Sequence, residues 1–346
     1  MKRPLPRPLD IKRGRIDLTH GGGGRNMAQL IDEMFRSAFS NPLLDAGNDQ
    51  ATFDAPKGRM VMTTDTFVIS PIFFPGGNIG SLAVHGTVND IAMGGAVPLY
   101  LTSGFIIEEG YPLADLQMIV TSMAEAAKEA GVQIVTGDTK VVEQGKGDGI
   151  FINTAGVGVV PEGVAPSGEK AKPGDKILVN GTLGDHGVAV MSKRESLGFE
   201  TEILSDSAAL NGIVADIIAV APGIKVLRDP TRGGLATVLN EIAIQSDVGI
   251  TVKEDALPIR PEVKGACELL GLDPLYVANE GKLVAIVAPE DADAVLAAMK
   301  AHPLGKQAAI IGEITEDDHN FVQMVTGFGG SRIIDWLAGE QLPRIC

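Results

Sequence analysis

The stretch from Pro161 to Pro173 most constrains how this sequence can fold, because it divides the chain into two halves that each alternate between strand and helix patterns. It carries three prolines with several glycine, serine and lysine residues, a composition typical of a link between domains. In the first half, apolar helical periodicity predicts helices at Gly80–Ala92 and Leu113–Ala130 between strands. The second half starts with a predicted strand at Lys176–Val179 and alternates in the same way. The sequence therefore predicts an α/β (α+β) protein of two domains.

We expect four segments along the chain. Residues 1–16 are expected to form a disordered basic arm, because they carry six lysines and arginines and three prolines but no apolar stretch of a secretory signal. Residues 17–161 form the first domain and residues 172–338 the second. Residues 339–346 are expected to be a mobile tail that ends in Cys346, because chain termini are usually the least ordered parts of a domain.

Charge and cysteine content narrow the classes of function. The 346 residues carry 44 acidic and 29 basic side chains, a formal net charge of −15, so the chain as a whole repels nucleic acid. Cys267 and Cys346 are too few for a disulfide framework or a zinc motif, which indicates a reducing cytoplasm. No apolar run reaches the length of a membrane span. Cys267 has apolar neighbours and is expected in the core.

A run of four glycines, Gly21–Gly24, follows His20 and precedes an apolar helical pattern that starts near Met27. The backbone N–H groups of such a run, at the start of a helix, can hold phosphate oxygens. The run is not a Walker loop, because no Gly-Lys-Ser/Thr sequence closes it. A flexible linker ahead of a helix explains the same composition, and the sequence leaves both interpretations open.

Four aspartates stand in glycine-rich or threonine-rich settings: Asp65, Asp90, Asp138 and Asp229. Asp65 lies in the middle of a predicted strand, where aspartate is disfavoured. Mg²⁺ prefers oxygen ligands and usually binds a few carboxylates together with substrate phosphates. Distributed acids without a His/Cys cluster therefore suggest magnesium and a nucleotide, not zinc or iron. Ordinary turns, strand ends and solvated residues are the alternatives.

Three other side chains belong to the same hypothesis. Asn89 precedes Asp90 at the polar edge of a predicted helix. Lys140 lies two residues after Asp138 on one face of a predicted strand, so the two could address one polyphosphate or simply form an ion pair. Glu280 precedes a strongly apolar strand, which suggests either a base with a raised pKa or a polar surface turn.

Cys346 places a free thiol at the last position of the sequence. We expect a nucleophile at the tip of a short arm, although a cysteine that is last by chance fits the position equally well. Prenylation is excluded, because that signal needs three residues after the cysteine.

Seven stretches together resemble the HypE family of hydrogenase maturation factors, in the aminoimidazole ribonucleotide synthetase (PurM-like) ATP-binding superfamily. They are His20–Arg25, Thr63–Phe67, His85–Asp90, Thr136–Lys140, Asp229–Leu235, Asn279–Lys282 and Pro343–Cys346. The spaced acids and glycines are shared across the superfamily, whereas the terminal Pro-Arg-Ile-Cys is the specific signature. The resemblance covers about Asp17 to Cys346 and leaves the basic arm outside.

The resemblance implies two PurM-like domains, the first of which binds ATP and pairs with its twin in a homodimer. It also implies a reaction in the synthesis of the cyanide ligands of nickel–iron hydrogenase. A carbamoyltransferase, HypF, places a carboxamide on the terminal thiol, and ATP with Mg²⁺ drives its dehydration to a thiocyanate. The cyano group then passes to iron on a HypC–HypD complex.

The resemblance and this chemistry together assign the site residues. Cys346 carries the group, Lys140 neutralises phosphate charge, and Glu280 is the base, with His20 or Asp90 as a second base. The full set is Gly21, Gly22, Gly23, Gly24, Asp65, Asn89, Asp90, Asp138 and Lys140 for the nucleotide, and Asp65, Asp90, Asp138 and Asp229 for magnesium.

Two other functions compete with this one. Another PurM-like kinase or synthetase, of the selenophosphate synthetase or thiamine monophosphate kinase type, would share the acids. Selenophosphate synthetases, however, carry cysteine or selenocysteine near the N-terminal glycines, and here no cysteine precedes Cys267. A non-catalytic maturation scaffold would use the terminal thiol as a tether and would need neither Lys140 nor the acids.

Overall fold

The computed structural model of the chain describes residues 8–195, 203–337, 339 and 344–346. The first seven residues of the expected arm, and residues 340–343 of the expected tail, lie outside the described residues. The described strands are β1 (Arg59–Phe67), β2 (Phe73–Phe74), β3 (Gly77–Asn78), β4 (Val97–Glu108), β5 (Gln133–Val142), β6 (Ile150–Val160), β7 (Lys176–Val179), β8 (Val226–Arg228), β9 (Gly249–Lys253), β10 (Val284–Val287), β11 (Ala309–Thr315), β12 (Val322–Val325) and β13 (Ser331–Ile333). The described α-helices are α1 (Arg25–Leu30), α2 (Ser37–Phe39), α3 (Pro42–Asp45), α4 (Ile79–Met93), α5 (Leu113–Ala130), α6 (Asp185–Arg194), α7 (Asn211–Val220), α8 (Gly234–Ser246), α9 (Pro261–Leu270) and α10 (Ala292–Ala301).

The first domain is built on a four-stranded sheet in the order β1-β6-β4-β5. β4 and β5 are parallel and are joined through α5, whereas the other pairs are antiparallel. Successive side chains of a strand point to opposite faces. One face carries Phe67, Phe105 and Ile152 into the core, and the other carries Met62 and Ile106, which are 76% and 45% exposed. This second face is therefore an apolar surface open to solvent in a single chain.

Helix α4 lies between this sheet and the second domain. It contacts β1, β6 and α5 on one side and α7 and β8 on the other, and 13 of its 15 residues are buried. The Asn78 side chain caps its start by accepting hydrogen bonds from the N–H groups of Gly80 and Ser81. Near its end, the Asn89 amide donates to the Ala208 carbonyl at 3.0 Å. α4 therefore presents its last turns to the junction of the two domains.

The second domain is built on a seven-stranded sheet in the order β13-β12-β9-β11-β7-β10-β8. α8 packs on one face, where Leu235 and Leu239 join the core around Ile177. α7 and α10 pack on the other face, where Ile213 and Val295 join a separate core. The two sheets with their helices confirm the predicted α/β fold class. Among the described residues, no helix has both the length and the apolar character needed to cross a membrane.

The structure differs from the expected disorder over residues 8–16. Leu9 and Ile11 pack against the first core, and Ile16 is 1% exposed within it. The backbone N–H of Leu9 donates to the Glu33 carboxylate at 2.8 Å, and the Arg15 guanidinium donates to the Gly110 carbonyl at 2.6 Å. Three apolar side chains spaced among the charges anchor this segment, because their burial outweighs the effect of its basic composition.

Candidate active site

The first part of the candidate site lies where β1 faces α4. Asp65 points from β1 toward α4, and a Cβ added to Gly86 would lie 3.4 Å from the Asp65 Oδ2 atom. One turn further along α4, the Asp90 carboxylate accepts a hydrogen bond from the Thr63 hydroxyl at 2.8 Å. Burial raises the pKa of both aspartates, and the nearby Asp65 carboxylate further raises the pKa of Asp90.

Asp229 and Glu280 come from the second domain, and the register of its sheet brings them together. Arg228, the last residue of β8, lies opposite Val284, the first residue of the antiparallel β10. The residues that follow β8 and precede β10 therefore meet at one end of the sheet. Burial raises the pKa of Asp229 to about 7, and repulsion from Asp90 and Asp65 adds to that rise.

Glu280 is buried, with 3% exposure, and its Oε1 atom has no hydrogen-bond partner among the described residues. Its backbone is fixed on both sides, since the N–H donates to the Asp206 carboxylate at 3.0 Å and the carbonyl accepts from the Asn89 amide at 3.2 Å. Burial raises the pKa of Glu280 well above its usual value, and the Asp229 carboxylate raises it further. An uncommitted carboxyl held in this way suits a proton-transfer role.

The last residues of the sequence lie inserted beside these acids. The backbone N–H of Val68 donates to the Cys346 carbonyl, and that of Ser70 donates to the Arg344 carbonyl, both at 3.1 Å. Ile345 is 3% exposed and packs in the first core. The structure thus describes one inserted position for residues 344–346, whereas the mobility of the tail stays a prediction.

The Cys346 thiol lies in a cleft of about 410 Å³ that Thr66, Arg232 and Tyr276 also line. Burial raises the pKa of the Cys346 thiol to about 12, with a further rise from Glu280 and an opposing effect from the Arg232 guanidinium. The thiol is therefore protonated at neutral pH in this position. A guanidinium and a carboxyl whose Oε1 atom has no hydrogen-bond partner among the described residues therefore lie close to this thiol.

Asp138 does not join the other three aspartates within one chain. Across the four strands, Asp138 pairs with Gly104, Gly104 with Asn153, and Asn153 with Thr66. The Asp138 side chain therefore points to the same face of the sheet as Thr66, whereas Asp65, the neighbour of Thr66 in β1, points to the opposite face. The four predicted magnesium ligands therefore divide into Asp65, Asp90 and Asp229 on one side and Asp138 on the other. Among the described residues, no group of three or more His, Cys, Asp or Glu side chains is arranged to hold a metal ion by itself.

Asp138 pairs with Lys140 on the exposed face of the sheet. The Lys140 ammonium lies 2.6 Å from the Asp138 Oδ2 atom, and the two side chains are 62% and 65% exposed. The ion pair lowers the pKa of Asp138. The pair is therefore compatible both with a simple ion pair and with a role in binding a polyphosphate, because an exposed ion pair is free to rearrange around a phosphate.

The glycine run lies beside the same strand. Leu18–Gly21 form a turn of 3₁₀-helix that contacts β5, and a Cβ on Gly21 would lie 2.7 Å from the Val141 backbone nitrogen. The run leads directly into α1, as predicted. The buried His20 closes the turn, since its Nδ1 atom accepts a hydrogen bond from the Asp17 N–H at 3.1 Å. His20 therefore has a structural task at this position, and its role as a base stays a prediction.

A cavity of about 180 Å³ opens next to Asp138, beneath the helical segment that α1 begins. Its walls are mostly apolar, and the buried Ser103 hydroxyl on its wall has no hydrogen-bond partner among the described residues. The other lining residues are Met27, Ile31, Phe35, Arg36, Phe39, Leu44, Phe105, Ile134, Thr136, Gly137 and Thr139. The cavity is therefore a mostly apolar space with the Ser103 hydroxyl and Asp138 on its wall.

Several residues near this site carry no prediction from the sequence. They include Arg232, within the stretch Asp229–Leu235, and His186. Asp206 and Lys282 form a buried ion pair at 2.8 Å directly behind Glu280. The two glycines that follow Arg232 could have indicated its role near a ligand. No neighbouring residue in the sequence indicates a role for Asp206, because its partners Glu280 and Lys282 are more than 70 residues away.

Comparisons with known proteins identify relatives that match nearly the whole chain. Residues 47–160 match the N-terminal domain of AIR synthase related proteins, and residues 172–325 match the C-terminal domain. The carbamoyl dehydratase HypE of Cupriavidus necator is 68% identical over 100% of this chain and 99% of that protein. A solved structure of hydrogenase maturation protein HypE in complex with ATP is 50% identical, with a TM-score of 0.92 over 95% of this chain and 99% of that one. A HypE chain solved in a HypE–HypF complex is 54% identical, with a TM-score of 0.79 over 89% of this chain and 99% of that one.

Proposed function

Because the chain belongs to the HypE family of carbamoyl dehydratases, within the PurM-like AIR synthase related proteins, we propose that it uses ATP to convert a carboxamide on the Cys346 sulfur into a thiocyanate. The product supplies a cyanide ligand for nickel–iron hydrogenase. The observation that carries the proposal is the placement of the Cys346 thiol in one cleft with Arg232 and close to the Glu280 carboxyl.

The chemistry requires activation of the amide oxygen, because that oxygen is a poor leaving group. The oxygen attacks the γ-phosphorus of ATP, ADP leaves, and one N–H proton is lost. The C–O bond then breaks, phosphate leaves with the bonding electrons, and the second N–H proton departs as the C≡N bond forms. The balance is thiocarbamate and ATP to thiocyanate, ADP, phosphate and one proton. Phosphoryl transfer of this kind depends mainly on positioning and charge neutralisation.

Glu280 is the proposed base. Its raised pKa makes its carboxylate form a stronger base than an ordinary glutamate, and its unpartnered Oε1 atom leaves a lone pair available. The second proton requires a second acceptor. Asp90 belongs to the same group of acids, which favours it over His20, whose Nδ1 atom is held by the Asp17 N–H.

The residues present fit magnesium. Repulsion from Asp65 raises the pKa of Asp90, and repulsion from Asp90 and Asp65 raises the pKa of Asp229, an imbalance that a divalent cation bound to carboxylate oxygens would relieve. We propose that these three hold Mg²⁺ once ATP phosphates provide the remaining ligands. When bound, the ion neutralises phosphate charge.

We propose that ATP lies across the interface of a homodimer. Asp138 and Lys140 lie on the sheet face that carries the exposed Met62, and the glycine run and the apolar cavity lie beside the same strand, β5. Pairing of this face with its twin buries the exposed apolar side chains. A site shared in this way would combine Asp138 and Lys140 of one subunit with Asp65, Asp90 and Cys346 of the other.

Two partners complete the proposal. A HypE chain has been solved in complex with HypF, and we propose that HypF delivers the carboxamide here as well. A HypC–HypD complex would then accept the cyano group. Because Cys346 is partly buried in its inserted position, the tail is proposed to leave the cleft to meet both partners.

The alternatives fit the cleft less well. A kinase for a small free substrate has no need of a terminal thiol in its cleft, whereas here Cys346 lines the cleft. A scaffold has no use for a buried glutamate whose Oε1 atom has no hydrogen-bond partner among the described residues, since such a group reduces stability.

Mass spectrometry of the Cys346 peptide tests the proposal. With ATP, carbamoyl phosphate and the transferase, the peptide should gain about 43 Da and then lose about 18 Da as phosphate-activated dehydration proceeds. The same protein without ATP should keep the larger mass, and Cys346→Ser should gain nothing. A wild-type peptide that never loses the mass of water would contradict the assignment.

A further inference from the structure

His186 contacts the inserted terminal segment from the opposite side to β1. It is the second residue of α6 and is fully buried. Its Nε2 atom lies 2.9 Å from the Ile345 carbonyl oxygen, one residue before the reactive thiol. A carbonyl oxygen accepts hydrogen bonds and cannot donate them, so Nε2 must carry the proton.

A hydrogen bond at the Nδ1 atom of His186 fixes the tautomer in which Nε2 carries the proton. The His186 Nδ1 atom lies 2.8 Å from the Ser205 hydroxyl oxygen, which itself accepts a hydrogen bond from the Ser207 N–H at 3.1 Å. Burial lowers the pKa of His186, which keeps the ring neutral and leaves Nδ1 as the acceptor of the Ser205 proton. The Phe74 ring packs edge-on against the imidazole, with centroids 5.5 Å apart, and limits rotation of the ring.

The same helix holds the preceding residue of the terminal segment. The Arg194 guanidinium, at the end of α6, donates to the Arg344 carbonyl at 2.8 Å and to the Ser70 carbonyl at 2.8 Å. Two consecutive carbonyls of the segment, those of Arg344 and Ile345, are therefore bound by the two ends of one helix. The pattern is that of a docking site for a short terminal segment, with His186 bound closer to the thiol than Arg194.

We propose that His186 is a positioning residue, whose Nε2–H bond to the Ile345 carbonyl holds the Cys346 sulfur beside Glu280 for dehydration of its carboxamide. The claim that this position favours dehydration rests on the proposed function. The claim that His186 docks the terminal segment does not, because it concerns only where the Cys346 sulfur lies in the free protein; these two claims are the catalytic part and the docking part of the inference.

The rate at which iodoacetamide alkylates Cys346 in the full-length protein tests the docking part without ATP or a partner. His186→Leu removes the donor and is expected to raise this rate about tenfold, the effect of losing one hydrogen bond to a buried acceptor. His186→Gln, which retains an N–H donor, is expected to stay close to wild type. His319→Leu, at an exposed histidine, is the matched control and should change nothing.

Cys267 reports on the fold in the same experiment, because it is 1% exposed in a different core cluster. Its alkylation should stay slow in every variant. An unchanged Cys346 rate in His186→Leu would overturn the proposal. Equal acceleration in the Leu and Gln variants, or faster labelling of Cys267, would overturn it as well, since either result indicates a general loss of packing.

The proposed function is tested separately in the same variants. His186→Leu should accept the carboxamide but dehydrate it more slowly, with His186→Gln restoring the rate. If the wild-type protein docks Cys346 as described but never dehydrates the carboxamide, the proposed function fails and the docking role of His186 stands.

Discussion

The Glu280 carboxyl lies close enough to Cys346 for its charge to raise the pKa of the thiol. Glu280 is reached from β10 of the second domain, whereas the backbone that holds Cys346 follows β1 of the first. The Cys346 sulfur is thus held by the first domain, whereas its proposed base belongs to the second. The proposed site requires both domains and the terminal segment.

Glu280→Gln should block dehydration while leaving carboxamide attachment intact. The amide has the same shape but cannot accept the N–H proton, so the rate of conversion should fall by about 10²- to 10⁴-fold. Mass spectrometry of the Cys346 peptide over time gives the rate. Glu143→Gln, at an exposed glutamate, should retain the wild-type rate. A Glu280→Gln variant that dehydrates at the normal rate would remove Glu280 from the mechanism.

Asp229→Asn should stabilise the ligand-free protein, and more so at pH 8 than at pH 5. The folded-state pKa of Asp229 is about 7, above its unfolded value of 3.8, so the folded state binds the proton more tightly. The stability that the protonated Asp229 carboxyl contributes is fully present below the unfolded pKa of 3.8, and it is lost as the pH rises from there through about 7. Thermal unfolding at the two pH values measures it, with about 2–4 °C expected per kcal/mol.

Asp216→Asn is the control for that experiment, because Asp216 is exposed on α7. It removes one carboxylate from the surface and supplies the baseline change in melting temperature at each pH. Equal shifts for Asp229→Asn at both pH values would show that the Asp229 carboxyl is not perturbed in the folded chain.

Lys140→Ala should keep the fold and accumulate the carboxamide. Its ion pair with Asp138 is exposed, and such pairs contribute about 0–1 kcal/mol to stability. The melting temperature should therefore stay near wild type, whereas loss of the phosphate-neutralising charge slows the chemistry. Lys128→Ala, at an exposed lysine on α5, should behave as wild type in both measurements. Complete conversion to the thiocyanate in Lys140→Ala would exclude the proposed role.

Mixing two inactive variants tests whether the site is shared between subunits. In a mixed dimer of Lys140→Ala and Glu280→Gln chains, one shared site carries both substitutions and the other carries neither. Random exchange should restore about a quarter of the wild-type activity, because about half of the dimers are mixed and each has one intact site. No recovery after demonstrated exchange would place the complete site within one chain.

Local patterns predicted the elements of the fold well. The amphipathic helix at Leu113–Ala130 has the predicted bounds, and Asp65 lies within a strand as expected, since both follow from the spacing of apolar side chains. The order of strands in the two sheets depends on pairings between distant residues, and spacing along the chain carries no such information.

The sequence marks only part of the candidate site, because its other residues meet through contacts between distant parts of the chain. Asp65, Asp90 and Asp229 carry a local signal, namely a carboxylate in an unusual setting, and the structure brings them together. The opposite orientation of Asp138 depends on the pairing of four strands. The contact of His186 with Ile345 spans 159 residues and joins two segments that are separately unremarkable in sequence.

The fate of the carboxamide oxygen tests the central claim most directly. The carboxamide on Cys346 is prepared with a heavy isotope of oxygen, ATP is added, and the released phosphate and water are analysed by mass spectrometry. Activation by the γ-phosphoryl group predicts that the label appears in inorganic phosphate, in an amount equal to the thiocyanate formed. Label found in water, with unlabelled phosphate, would contradict the account.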